Sequence, residues 1–372
     1  MASRWTNGLI FIIFMWLLSR VVVVVAMQGV APLLHLPPVN HSYPHLGFVP
    51  NYIPTPGWQL FAHWDGAWYK TIATSGYGFT DGKYSNIAFF PFFPLITRGV
   101  MLLGLPFEVA GTLVNNLAFL GSLLVLYHWV QERHSTETAR WATAVLAWCP
   151  YSLFGTVIYT EGLFLFLSTA SLQAFDNHQH LRAALWGAMA SATRITGAAL
   201  VPALLITAWR ERRPATAYVA GLATGGGLLL FSIYCGIRFA DPLAFVHVQQ
   251  AWRASLGLDW LAWFRLLVDG LAFGTEFIKA IMILGGGYLL WHLRHRLSTV
   301  VVVYGFCALA LILASGSLSS VDRYAYGIVS LAIALGMLLA RYPRWGYATL
   351  GYFTLLLIAF SFRFAWWTWR NC

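Results

Sequence analysis

Residues 8–30 read GLIFIIFMWLLSRVVVVVAMQGV, an apolar run interrupted by one arginine, Arg20. A helix that crosses a bilayer needs about 20 mostly apolar residues, so this run predicts a transmembrane helix. It follows Arg4, as the core of a signal peptide would, but it is too long for one and no small-residue cleavage site follows. We therefore expect an uncleaved first helix that leads outwards from the cytoplasm.

Further apolar runs follow along the whole chain, and charged residues make up only 10% of its 372 residues. Soluble domains carry roughly 25%, so the sequence predicts one membrane domain, 1–372, and no separate soluble domain. We expect an all-α polytopic bundle with about eleven spanning or half-spanning helices. The clearer helical runs are 107–130, 141–157, 160–175, 216–238, 275–292, 298–315, 325–341 and 346–364.

The formal net charge of +10 comes from small basic clusters between the apolar runs: Arg133/Arg140, Arg210/Arg212/Arg213, Arg294/Arg296 and Arg341/Arg344. Such clusters are typical of cytoplasmic loops and can contact anionic lipid headgroups, so they do not indicate nucleic-acid binding. The four cysteines lack metal-site spacing, which predicts neither a structural zinc nor a required disulfide.

Two segments allow different threadings. The apolar segment 87–104 contains Pro91, Pro94 and Arg98, which favour an interfacial helix over a spanning one. Residues 183–209 carry Arg194 at their middle, which favours two short antiparallel segments that meet at Arg194 on the outer face. A rival threading makes 87–104 a full span and 183–209 one helix, and charge counting alone does not exclude it.

The first outer loop, 31–106, holds a dense aromatic motif around Asp65, and a second outer loop is predicted at 239–274. Asp65 and Asp81 are the only acids in residues 31–86. An acid among aromatic side chains can serve as a general base if a neighbouring group keeps it ionised. The alternative is an interfacial aromatic belt in which Asp65 caps a short helix.

The motif F-x-x-W-D-x-x-W-Y-x-x-I-A-x-x-G-Y at 61–77, followed by A-F-F-P-x-F-P-L from residue 88, resembles the PIG-V family. These are mannosyltransferases of the GT-C superfamily and their bacterial relatives. The resemblance continues at 150–152, 159–164, 192–197, 249–253 and 320–324. It implies sugar transfer from a polyprenyl-phosphate-linked monosaccharide, typically mannose, on the non-cytoplasmic face. It also implies that the acid of the first outer loop, here Asp65, is the catalytic base and that 87–104 is an interfacial helix.

Arg194 and Arg323 are the candidates for binding the donor phosphate, because a guanidinium group binds phosphate oxygens with two parallel hydrogen bonds. Each has an alternative role: Arg194 as the partner of Glu161, and Arg323 as an interface anchor paired with Asp322. An acid at Glu161 also stabilises a helix N-terminus without any substrate. The candidate substrate-binding residues are His63, Trp64, Trp68, Tyr69, Glu161, Gln250, Trp252, Arg253 and Asp322.

The sequence therefore predicts an inverting glycosyltransferase of a bacterial inner membrane or its equivalent, with its active site facing outwards. Its partners would be a polyprenyl-phosphate-linked sugar, membrane lipid, and an acceptor glycan, glycolipid or protein. No cofactor or obligatory metal is expected, since few carboxylates are free to bind one. A lipid or sugar transporter and a non-catalytic assembly factor are the alternatives, although no internal duplication supports a transporter. The residues do not identify the acceptor.

Overall fold

The computed structural model describes residues 2–34, 39–43, 47–79, 84–251, 275–316, 318 and 320–368, together with 259, 261, 263, 264, 266 and 268. Helices dominate this part of the chain, as expected. The first one, Ala2–Val24, continues through a π-helical turn, Val25–Val30, and a 3-10 turn, Ala31–Leu33. Its apolar part, Thr6–Leu33, has 28 residues and is about 42 Å long, enough to cross the roughly 30 Å hydrocarbon layer.

Two other described helices are long and apolar enough to span a membrane: Phe107–Arg133 and Pro343–Ala365. A fourth candidate span consists of Ala215–Ala223 and Gly226–Phe239, which meet at a bend of 42°. The chain is therefore an integral membrane protein. Shorter apolar helices complete the bundle, so the predicted total of about eleven spanning or half-spanning helices stays a prediction.

Residues 31–106, the predicted first outer loop, contain strands as well as helices, and the strands were not predicted. Strands Val39–Tyr43 and Gly47–Tyr52 pair antiparallel, with His41 opposite Val49. Pro50 disfavours a helix here, because proline lacks the amide hydrogen that a helix interior requires. The loop continues with a 3-10 turn, a helix, a second 3-10 turn and another helix: Trp58–Ala62, Asp65–Ser75, Asn86–Ala88 and Phe92–Met101.

Helix Phe92–Met101 has ten residues and is about 15 Å long, which is too short to cross a bilayer. The threading that made 87–104 a full span is therefore wrong. Helix Phe107–Arg133 follows, in agreement with the helix expected at 107–130.

The helix predicted at 141–157 is wrong at both ends. The observed helix, Thr136–Trp148, begins after Ser135, whose hydroxyl accepts a hydrogen bond from the amide of Thr138. It ends before Pro150, because the residue that precedes a proline avoids the helical conformation, and Cys149 is extended at ψ 137°. A buried 3-10 turn, Pro150–Gly155, leads to helix Glu161–Asp176.

Residues 183–209 form two helical segments joined at Arg194, as predicted: His180–Ser191, and a 3-10 turn Ile195–Ala199 that leads into Leu200–Arg210. Arg194 itself is extended, with φ −154° and ψ 148°. The two arms meet closely at Gly197, where a Cβ atom would lie 2.6 Å from the Cα of Ser191. The far end of the first arm also lies beside the residues that follow the second arm, since Nδ1 of His180 lies 2.8 Å from the hydroxyl of Thr216. The two segments are antiparallel, and the single-helix threading is wrong.

The rest of the described chain is helical. Its elements are Ala244–His247, the 3-10 turn Val248–Ala251, Thr275–Ala280, the π turn Ile281–Gly285, Gly286–Leu293, Thr299–Leu313, Val321–Tyr326, Val329–Arg341 and Pro343–Ala365. The helix predicted at 325–341 starts four residues later than expected, because a separate short helix, Val321–Tyr326, precedes it. Ser320 begins that short helix in the left-handed conformation, at φ 56°.

The bundle has a basic end and an end that carries the candidate site. Helix Glu161–Asp176 has 16 residues and is about 24 Å long. Its last residue, Asp176, pairs with Arg133 at 2.8 Å, and Phe175 accepts from Arg213. Its first residue, Glu161, lies at the other end. The basic residues Arg133 and Arg213 are therefore separated from Glu161 by the length of this helix.

Candidate active site

Asp65 is the first residue of helix Asp65–Ser75, and the preceding Trp64 adopts φ 58° and ψ −120°. A positive φ strains a residue that has a side chain, by about 1–3 kcal/mol, and such strain persists only where the surrounding packing holds it. The Trp64 ring packs on Trp367, with ring centroids 5.5 Å apart. The backbone amide of Asp65 donates to the hydroxyl of Tyr159 at 3.3 Å. The turn thus fixes the start of the helix and the direction of the Asp65 side chain.

The Asp65 carboxylate pairs with Arg323, which lies 258 residues away in the sequence. Nη1 of Arg323 lies 2.7 Å from Oδ2 of Asp65. Oδ1 of Asp65 has no hydrogen-bond donor among the described residues, and 21% of the Asp65 side chain is exposed. One carboxylate oxygen of Asp65 is therefore held by Arg323, and the side chain stays partly accessible.

Glu161 lies between two arginines and is fully buried. Its Oε1 pairs with Nη1 of Arg194 and lies 3.4 Å from Nε of Arg323. The ion pair of Arg194 with Glu161, one of the two roles considered for Arg194, is thus present. Asp65, Arg323, Glu161 and Arg194 form a continuous chain of alternating charge, which we call the charged tetrad.

Aromatic rings surround the arginines of the tetrad. The guanidinium of Arg323 lies 4.9 Å from the ring centre of Tyr159, and Tyr324 lies beside both arginines, 5.5 Å from Arg323 and 5.1 Å from Arg194. Burial opposes the charge on Arg323, but Asp65 and Glu161 outweigh it and raise the pKa of Arg323 well above its ordinary value. Arg323 is therefore a permanent cation in a site with little water.

Asn115 fixes the position of Glu161. Its Oδ1 accepts from the amide of Gly162 at 3.0 Å, and its Nδ2 donates to the carbonyls of Phe154 and Val157 at 2.7 and 2.6 Å. A Cβ on Gly162 would lie 2.5 Å from the backbone oxygen of Asn115, so only glycine fits directly after Glu161. Sequence reasoning missed Asn115, although a polar amide in an apolar helix is a signal of an internal contact.

Asp322 does not pair with the guanidinium of Arg323. Its Oδ2 accepts from the hydroxyl of Tyr151 at 2.6 Å, and its Oδ1 accepts from the backbone amide of Arg323 at 2.9 Å. Asp322 is 2% exposed, so these two bonds attach the short helix Val321–Tyr326 to the buried turn at Pro150–Gly155. Tyr151, also missed as a site residue, is what holds Asp322.

His63 is buried beside the C-terminal end of helix Pro343–Ala365. The indole nitrogen of Trp367 donates to His63 Nε2 at 2.8 Å. An indole only donates, so Nε2 must be the acceptor and Nδ1 carries the proton, which faces the carbonyl of Phe364 at 3.3 Å. The Tyr52 hydroxyl lies 3.2 Å from the same Nε2. His63 thus contacts the loop and the last helix.

Trp68 stacks on Phe89, and Tyr69 packs against Phe89 and Phe93. Burial and the adjacent Asp65 raise the pKa of Tyr69 above its ordinary value, so its phenol stays protonated. Both residues join helix Asp65–Ser75 to the start of Phe92–Met101.

Three candidates come from the second outer loop. Gln250 lies in the 3-10 turn Val248–Ala251. Trp252 and Arg253 lie outside the described residues.

Arg20, the one arginine of the apolar run 8–30, makes structural contacts. It donates to the carbonyls of Ser152 and Ala147, and to the hydroxyls of Ser152 and Thr156, at 2.5 to 3.2 Å. A charge inside the membrane is costly, and these oxygens stabilise it. Arg98, by contrast, is exposed on helix Phe92–Met101.

Comparison with solved structures shows which known fold this bundle resembles. The chain is similar to ArnT from Cupriavidus metallidurans bound to undecaprenyl phosphate, at 14% identity and TM-score 0.55, over 92% of this chain and 61% of that one. ArnT in the apo state is similar at 13% identity and TM-score 0.57, over 94% of this chain and 62% of that one. The apo oligosaccharyltransferase of Archaeoglobus fulgidus is similar at 12% identity and TM-score 0.50, over 96% and 55%. The chain thus spans about three fifths of ArnT, and at these identities the similarity establishes a fold.

The family comparison is more specific. A family model described as mannosyltransferase (PIG-V) matches residues 9–209, more than half of the chain and a stretch that contains Asp65, Glu161 and Arg194. No curated protein matches the sequence. The chain therefore belongs to the PIG-V mannosyltransferase family.

Proposed function

We propose that this protein transfers mannose from a polyprenyl-phosphate donor to an acceptor hydroxyl, with inversion at the anomeric carbon and with Asp65 as general base. The observation that carries the proposal is the geometry of the Asp65–Arg323 pair. A carboxylate that has one oxygen fixed at 2.7 Å by a cation and is 21% exposed is held in place and can still be reached by an acceptor hydroxyl, as a general base must be.

The donor phosphate would bind at Arg194 and Arg323. Arg194 is 8% exposed and uses only Nη1 for its described acid, Glu161, which leaves its other guanidinium nitrogens for phosphate oxygens. Arg323 is the cation shared between the phosphate and the base. ArnT, which has a similar fold, binds undecaprenyl phosphate, and this supports a lipid phosphate as the ligand here.

The reaction conserves charge across the tetrad. The acceptor oxygen forms a bond to the anomeric carbon from the face opposite the phosphate, and its proton passes to Asp65. The bond between the anomeric carbon and the phosphate oxygen breaks, and its electron pair stays on that oxygen. The negative charge lost by Asp65 therefore appears on the polyprenyl phosphate. Arg323 contacts Asp65 and would face the polyprenyl phosphate, so it stabilises the negative charge as it moves from one to the other.

We place the active site on the extracytoplasmic side. The tetrad lies at the end of helix Glu161–Asp176 that is opposite Arg133 and Arg213. Basic clusters mark the cytoplasmic side of membrane proteins, which supports this orientation. The side chains of His63, Trp68 and Tyr69 lie around the same end of the bundle, and the half-buried Trp68 is the one that could contact an acceptor sugar.

The test uses purified protein in lipid nanodiscs, radiolabelled polyprenyl-phosphate mannose, and native membranes as the source of acceptor. The quantity measured is the polyprenyl phosphate formed, which does not depend on the identity of the acceptor. Asp65→Asn should slow turnover by about 10²–10⁴-fold, as expected for loss of a general base. Asp241→Asn is the matched control, because Asp241 pairs with His247 outside the tetrad. Full activity of Asp65→Asn would refute the role of Asp65.

A further inference from the structure

Glu161 is the one acid of the tetrad that the proposed chemistry does not use. Its side chain is 0% exposed, so neither donor nor acceptor reaches it directly, yet it contacts both proposed phosphate-binding arginines. Neither of its carboxylate oxygens makes a hydrogen bond of good geometry in the described part of the chain, so its described polar contacts are the ion pairs of Oε1 with Arg194 and Arg323.

This inference rests on the proposed function. We propose that Glu161 is a built-in counter-anion of the two arginines. It occupies the two arginines while the site is empty and competes with the lipid phosphate for them, so that it promotes release of the polyprenyl-phosphate product. It is a positioning residue in this scheme, since it acts through Arg194 and Arg323.

The charges of the tetrad support this role. The two arginines balance Asp65 and Glu161, so the tetrad by itself carries no net charge. Without Glu161, two cations that are 8% exposed would lie close together with only one acid. Breaking a buried pair by removing one partner is strongly destabilising, because the other charge is left uncompensated. A phosphate could supply the missing negative charge and would then be held tightly.

Glu161 affects donor and product unequally. The donor phosphate is a diester with one negative charge, whereas the product is a monoester whose second pKa is about 6, so it approaches two charges at neutral pH. Repulsion from a fixed carboxylate scales with the charge that faces it. Glu161 therefore weakens product binding more than donor binding, which favours turnover.

The structure holds Glu161 firmly enough for this role. The amide of the next residue, Gly162, donates to Asn115, and Glu161 begins a helix, where the positive end of the helix dipole stabilises a carboxylate. The Glu161 backbone is thus fixed, while the ion pairs at its side-chain end can exchange for those of a phosphate.

The experiment compares Glu161→Gln with Glu108→Gln, whose parent residue pairs with Lys70 at 2.6 Å outside the tetrad. The probe is undecaprenyl phosphate, titrated into each protein in nanodiscs. Glu161→Gln should bind the probe about tenfold more tightly than wild type, which corresponds to about 1.4 kcal/mol. Glu108→Gln should bind it as wild type does. In turnover, Glu161→Gln should lower both the donor KM and kcat, and should show a burst of one equivalent of polyprenyl phosphate.

A purely structural role for Glu161 predicts the opposite sign, because disordered arginines would bind the probe more weakly. Weaker or unchanged binding by Glu161→Gln therefore overturns the proposal. If this variant does not fold, Glu161→Asp serves instead: its shorter side chain withdraws the carboxylate from the arginines, so it should also tighten binding, though less. Weaker binding by Glu161→Asp overturns the proposal equally.

The double variant Glu161→Gln/Arg194→Gln restores the neutral site and should lose the added affinity. Retained tight binding would contradict the charge argument. Failure of the proposed function itself looks different: wild type would then neither bind undecaprenyl phosphate nor release it from the donor. If wild type does both and Glu161→Gln behaves like wild type, only the counter-anion role fails.

Discussion

Arg323→Lys keeps the charge of Arg323 but removes its planar shape, so it tests the two contributions separately. The guanidinium contacts Asp65 through Nη1 at 2.7 Å and Glu161 through Nε at 3.4 Å, so two different nitrogens reach two acids. A lysine carries the same charge on a single nitrogen and cannot span both acids or bind a phosphate with a planar pair of donors.

We expect Arg323→Lys to raise the free energy of the transition state. Removing one preorganised donor from a buried site typically lowers kcat by about 10²–10³-fold, or about 2.7–4 kcal/mol. The thermal unfolding temperature should change little by comparison, since the buried positive charge that balances the acids is retained. Turnover is measured as polyprenyl phosphate formed under saturating donor, beside a thermal-unfolding curve of the same preparation.

Arg98→Lys is the matched control, because Arg98 is exposed on helix Phe92–Met101. It should keep its activity within about twofold, as expected for a surface substitution worth no more than about 0.5 kcal/mol. Arg323→Lys with wild-type kcat would refute the reasoning, because a point charge would then suffice where the structure shows a bridging guanidinium.

Three further outcomes are expected. Arg20→Met should lower the free energy of unfolding by about 2–4 kcal/mol, because the buried carbonyls of Ser152 and Ala147 lose their hydrogen-bond donor. Calorimetry in detergent measures this, and an unchanged unfolding temperature would contradict it. Tyr151→Phe should lower the free energy of unfolding by about 1–3 kcal/mol and reduce kcat, because Asp322 loses the hydroxyl at 2.6 Å that helps to hold helix Val321–Tyr326. Normal activity together with normal stability would count against that coupling. Transfer should continue after dialysis against EDTA, since we assign the stabilisation of the leaving phosphate to arginines; loss of activity that Mg²⁺ or Mn²⁺ restores would show that a metal is required.

The sequence predicts the parts of this protein that depend on local composition. Apolar length is a direct requirement of the bilayer, so Thr6–Leu33 and Phe107–Arg133 could be located from hydropathy. The break at Arg194 was also predictable, because a charge in the middle of an apolar run is costly unless the chain turns at an edge.

The helix expected at 141–157 shows why other parts were not predicted. The apolar run continues through Pro150, but the helix ends before it. The residues from Pro150 onwards form a buried turn. Turns of this kind are held by contacts from distant segments, such as the bonds from Arg20 and Asn115. One sequence shows that such polar residues exist but not which carbonyls they reach.

The composition of the candidate site was predictable, but its connections were not. Asp65, Arg194 and Arg323 stand out by residue type and by resemblance to a family motif. The pair between Asp65 and Arg323 joins residues 258 positions apart, and it depends on the whole bundle. The expected ion pair of Arg323 with Asp322 is absent, and the acids that Arg323 does contact, Asp65 and Glu161, were not foreseen as its partners.

The order of the tetrad along the chain has a consequence for biosynthesis. Ribosomes make Asp65 and Glu161 before Arg194, and Arg194 before Arg323. A nascent chain that has not reached residue 194 has no cation of the tetrad beside its Glu161 carboxylate. Once Arg194 has been inserted, the Glu161 carboxylate has a partner, but Asp65 still waits for Arg323. The site is therefore complete only after Arg323 has been made, and a product truncated before residue 323 would leave Asp65 without its partner, which membrane quality control can recognise.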